Sequence, residues 1–117
     1  MKKLAIAGLG ILLAVGLVGI ASAAEKSVTG TLEDSFCYVG MGAHGASHKK
    51  CAMGCAKKGI PVALVEKGTD KMYILLPAKN DSSLPDDVIS RMEDEVTITG
   101  NEMTKGGITY LKVESVK

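Results

Sequence analysis

Val96-Thr97-Ile98-Thr99-Gly100 and, beyond the turn Gly106-Gly107, Ile108-Thr109-Tyr110-Leu111-Lys112-Val113-Glu114-Ser115-Val116 decide how this chain folds. In the first run Val96, Ile98 and Gly100 share one face and Thr97 and Thr99 the other; in the second Ile108, Tyr110 and Lys112 oppose Thr109, Leu111 and Val113. Strict two-residue alternation is the mark of a half-buried strand. Two such strands joined by a glycine pair make an antiparallel closing hairpin.

Working back toward the N-terminus, Val62–Glu66 and Met72–Leu76 are β-rich runs separated by Lys67-Gly68-Thr69-Asp70-Lys71, a second hairpin. Between the hairpins lies polar chain from Pro77 to Pro85. A short helix is expected to open at Ser83 or Leu84, with Pro85 in its first turn, and to run to about Met92. Ser27–Leu32 alternates as a first strand and is ended by Glu33, Asp34 and Ser35. Five short strands with a helix between the third and fourth is the order of a mainly β, OB-like barrel; an open α+β sheet is the alternative. Closure would spare the chain exposed strand edges.

The segment from Cys37 to Cys55 interrupts this β pattern. It holds all three cysteines, both histidines and two of the six methionines. Gly40, Gly42 and Gly45 make its first half a flexible turn. A helix capped by Ser47 is expected to start near His48 and end at Lys58, stopped by Gly59 and Pro61. On that helix His48, Cys51 and Cys55 fall at i, i+3 and i+7, one stripe, onto which Cys37 can fold back from the end of the first strand.

Three readings of this cluster compete. The preferred one is a metal site in which Cys37, His48, Cys51 and Cys55 bind Zn²⁺ or Cu⁺, with Met41, His44 and Met53 as further soft or borderline donors. The second is a disulfide staple joining Cys37 to Cys51 or to Cys55, in a module that recognises another exported protein. That staple leaves an odd thiol. The third is thiol–disulfide exchange, helped by Lys49, Lys50, Lys57 and Lys58 but lacking a Cys-x-x-Cys motif. No haem-attachment motif, phosphate loop or nucleophile elbow is present, so a non-enzymatic role is preferred. Asp86-Asp87 and Glu93-Asp94-Glu95 read as solvated acidic faces.

Lys2 and Lys3, the uncharged run Leu4–Ile20 and the small residues Ala21-Ser22-Ala23 read as a secretory signal peptide, residues 1–23, with an uncleaved anchor as the alternative. The remaining residues, 24–117, form a single domain with the Cys/His insertion at 37–58. Removing 23 of 117 residues leaves 94; Lys2 and Lys3 leave with them, so 12 of the 14 basic residues face 13 acidic ones. So balanced a charge argues against nucleic acid or, after cleavage, a membrane surface as partner. One Phe and no Trp leave a core of Val, Ile, Leu and Met, which a covalent or metal cross-link would support.

Asp34-x-x-Cys37-Tyr38, His48-x-x-Cys51-Ala52-x-x-Cys55 and Gly59-x-Pro61-Val62 together resemble small exported bacterial domains with a hydrophobic leader, this cysteine–histidine segment and an OB-like remainder. The resemblance implies a periplasmic location and a shared role for Cys37, His48, Cys51 and Cys55. The C-terminal half alone is similar to exported bacterial OB-fold proteins of stress response, which generally lack the cysteine segment.

Overall fold

The computed structural model describes residues 25–117; the expected signal peptide lies outside the described residues. Five strands close into one barrel: β1 (Glu25–Asp34), β2 (Val62–Glu66), β3 (Met72–Leu76), β4 (Glu95–Lys105) and β5 (Ile108–Val116), in the order β1-β2-β3-β5-β4. All neighbours are antiparallel except β3 and β5, which pair in parallel through Ile74–Tyr110, Leu75–Leu111 and Leu76–Lys112. This is the OB-like barrel expected from the strand pattern, and its closure rules out the open sheet.

The alternation in the two C-terminal runs points inward as read. Val96, Ile98, Leu111 and Val113 are buried, and they meet Val28, Leu32, Leu64, Tyr73 and Leu75 in one core. Three helices follow the strands: α1 (Ser35–Met41) and α2 (Lys49–Lys57) between β1 and β2, and α3 (Asp86–Ile89) between β3 and β4. Val88 of α3 and Met92 just after it have no exposed surface, and Ala52 of α2 joins the same core. Among the described residues no helix is long and apolar enough to cross a membrane.

Two glycines let a five-stranded sheet curl this tightly. Gly30 pairs with Glu66 of β2 and with Val96 of β4, so β1 changes partners there. A Cβ on Gly30 would lie 2.1 Å from the Val65 carbonyl oxygen, and one on Gly100 would lie 2.0 Å from that of Lys112. Gly100 also sits at the register shift between β4 and β5. Close backbone approach and bulges of this kind bend strands at barrel corners.

The structure corrects several expected boundaries. β1 runs on to Asp34 and β4 to Lys105, and α3 is one turn with Pro85 as its N-cap rather than a helix reaching Met92. Ser47 does not cap α2. It lies inside a 3₁₀ turn, Ala46–His48, that leads directly into the helix. Cys37 is not at a strand end but in the first turn of α1. Asp34 starts that helix: its Oδ1 accepts the backbone N–H groups of Phe36 at 3.0 Å and Cys37 at 3.4 Å. Such capping offsets the cost of nucleating a helix of only seven residues.

Candidate metal centre

The centre is assembled where β1 leaves the barrel. Asp34 is the last residue of β1 and the cap of α1, so one side chain fixes both the strand exit and the position of Cys37. On the return path, the Ser35 N–H donates to the Pro61 carbonyl at 3.1 Å and the Ile60 N–H to that of Cys55 at 3.1 Å. These bonds hold the end of α2 against the start of α1. The approach to α2 is pinned from below: Glu93 accepts the Gly45 N–H at 2.8 Å, and Lys49 pairs with Asp94 at 2.7 Å. Glu93 and Asp94 are themselves tied to both backbone groups of Leu32 in β1.

The result is two groups of donors that share a sulfur. Donor atoms of Cys37, Cys51 and Cys55 all lie within 4.8 Å of one another. So do those of Asp34, Cys37 and His48. Thiolates around one cation at about 2.3 Å stand roughly 4 Å apart, so closing either set asks for movements of about 1 Å or less. The burial is graded: Asp34 and Cys37 are buried, Cys55 and His48 half-buried, Cys51 exposed.

Of the four buried side-chain polar atoms without a hydrogen-bond partner among the described residues, two belong to this cluster and two to Glu33 and Glu93. His48 Nε2 and Asp34 Oδ2 are enclosed by protein with no hydrogen-bond partner. Buried polar atoms are nearly always satisfied, because leaving one bare costs about 1–3 kcal/mol. An unpartnered imidazole nitrogen beside a thiol and a buried carboxylate has the chemistry of a ligand, and a borderline cation fits that set.

Burial pushes the Asp34 carboxyl up, but the Cys55 and Cys37 thiols beside it, with the N–H groups of Cys37 and Phe36, outweigh that and hold it below its ordinary value. The reverse acts on the sulfurs. The Asp34 carboxylate, helped by burial, raises the Cys37 thiol and pushes Cys55 up to about 12. Both are therefore protonated near neutral pH. A thiol poised for disulfide exchange is shifted the opposite way, toward the thiolate. A cation, by contrast, displaces these protons. All three cysteines are free, so neither Cys37–Cys51 nor Cys37–Cys55 is bridged in this structure.

The remaining candidate donors lie elsewhere. His44 is exposed and lines a separate cleft of about 310 Å³ with Glu33, Tyr38 and Lys67. Met41 is 69% exposed at the end of α1, and Met53 packs against the barrel core. Asp34 was not among the candidate ligands expected from sequence, although the spacing Asp-x-x-Cys is the signal that it and Cys37 share a helix start.

Glu33 forms a second buried acidic feature. It is 4% exposed, and burial together with the neighbouring Glu93 carboxyl raises it to about 8. No protein-family model, curated protein or solved structure matches this chain, so its own donor geometry is what speaks to its chemistry.

Proposed function

We propose that this chain is a small exported metal-binding module that holds Cu⁺ or Zn²⁺ and performs no turnover. The observation that carries the proposal is the convergence of three sulfurs, with a carboxylate and an imidazole whose free atoms are buried without partners. Soft thiolates suit Cu⁺, and a mixed sulfur, nitrogen and oxygen set suits Zn²⁺. Export is supported by the lysine-led apolar N-terminus and by the resemblance to exported domains. Anaerobic titration of the reduced protein tests the proposal: about one cation per chain is expected, and binding no tighter than millimolar rejects it.

A second reading, a disulfide-stapled interaction module, draws support from a different observation. Phe36 and Val39 on α1 are 65% and 68% exposed, and with Ile60 and Pro61 they line an apolar surface beside the cysteines. Oxidation of Cys37 with Cys51 or Cys55 would fix α1 to α2 beneath that surface. Thiol counting on protein isolated from the exporting cell separates the two: one free thiol and no metal favours the staple.

A further inference from the structure

The donors do not form one four-ligand set. Among the described residues, His48 groups with Cys37 and Asp34, and Cys51 and Cys55 group with Cys37, while the Asp34 carboxylate also adjoins the Cys55 thiol. A single tetrahedral ion needs all of its ligand atoms within roughly 4 Å of one another. The expected Cys₃His site would therefore require the His48 imidazole to move toward Cys51 and Cys55. The geometry offers two alternative positions for a cation, which share the Cys37 sulfur.

We propose that these positions select different ions. The outer seat, Cys37, Cys51 and Cys55, is all sulfur and takes the soft monovalent ion Cu⁺. The inner seat, Cys37, His48 and Asp34, presents one thiolate, one imidazole and one carboxylate and takes Zn²⁺. The Nε2 of His48, buried without a hydrogen-bond partner, belongs to the inner seat, and the exposed Cys51 to the outer one. In each case the bound ion displaces thiol protons to solvent, and no electron is transferred. Because Cys37 serves both seats, occupation of one alters the other. This inference rests on the metal-binding reading above but makes a separate claim about which donors each ion uses.

Cysteine alkylation on the native chain distinguishes them. The reduced protein is loaded anaerobically with one equivalent of Cu⁺ or Zn²⁺, pulsed with iodoacetamide, and mapped by peptide mass spectrometry. Cu⁺ is expected to slow alkylation of exposed Cys51 at least about tenfold relative to the metal-free chain, and Zn²⁺ to change it less than about twofold. The variant H48Q, at a half-buried residue whose side chain makes no capping bond to α2, supplies the complement. Its Zn²⁺ affinity should fall at least about tenfold with Cu⁺ affinity little changed. If H48Q does not fold, as judged by circular dichroism, the alkylation map on the native chain decides alone. Equal protection of Cys51 by both ions, or by neither although both bind, overturns the two-seat arrangement and leaves the metal-binding reading standing. Failure of both ions to bind removes both.

Discussion

Asp34→Asn removes one charge and very little else. Asn caps helices about as well as Asp, and its Oδ1 can still accept the N–H groups of Phe36 and Cys37, so α1 should survive. What changes is the field at the sulfurs. The Asp34 carboxylate is the leading reason that Cys55 titrates at about 12 instead of near 9, with burial second. At pH 9 a thiol of pKa 12 is about 0.1% thiolate and one of pKa 9 about half, and alkylation follows the thiolate fraction. Burial remains in the variant, so only part of that range is recovered. We expect the Cys55 midpoint to drop by at least about one pH unit, and its iodoacetamide rate at pH 9 to rise by up to about tenfold per unit. Peptide-resolved iodoacetamide rates of the two proteins, compared at pH 9, measure this. A Cys55 rate identical in wild type and D34N would refute the argument that this carboxylate holds the sulfurs protonated.

Other outcomes follow from the same structure. Metal affinity should weaken steadily as pH falls, because ions must displace protons from thiols that are held protonated; competition titrations at pH 6 and pH 8 giving equal constants would contradict that. Glu33, raised from 4.5 to about 8, stabilises the fold fully below about pH 4.5, and that stabilisation is lost as pH rises through 8. Glu33→Gln mimics the protonated form, so urea midpoints should favour the variant at pH 9 far more than at pH 5; an equal difference at both would be the adverse result. Gly100→Ala sets a Cβ 2.0 Å from the Lys112 carbonyl oxygen, a contact that only backbone displacement relieves. It should cost about 1–3 kcal/mol or more, read as a lower urea midpoint at unchanged slope, and a loss below about 0.5 kcal/mol would show that this corner of the barrel is slack.

The barrel was legible because its strands advertise themselves. Val96 and Ile98, and Leu111 and Val113, alternate with polar residues, and each pair lies in the core. The bulge at Gly100 was not legible, since a glycine at a strand's end reads equally well as its terminus; β4 in fact continues five residues further. α1 escaped notice because seven residues containing a glycine, and ending at Gly42 with φ 67°, carry too little helical pattern; the cap at Asp34, not the interior, specifies it. α2 carries Cys51 and Cys55 as their spacing implies and Cys37 meets them, while His48 sits at the helix N-cap. His44 does not join them, because Gly45 at φ 98° breaks the helix that would have put His44 and His48 on one face. Asp34 is not legible as a candidate donor, because an acidic residue after a strand looks like a mere stop, and its burial to 1% exposure is visible only in the fold.

Ala52 lies between Cys51 and Cys55 in sequence but on the barrel side of α2, with no exposed surface. Its single methyl group acts as a shim, fixing how near the helix rides to the wall and so how tight a triangle the three sulfurs can draw. A bulkier residue would lift α2 and pull two vertices from the third without touching any donor. Any ion these sulfurs could hold would thus find their spacing set by a residue that is no donor.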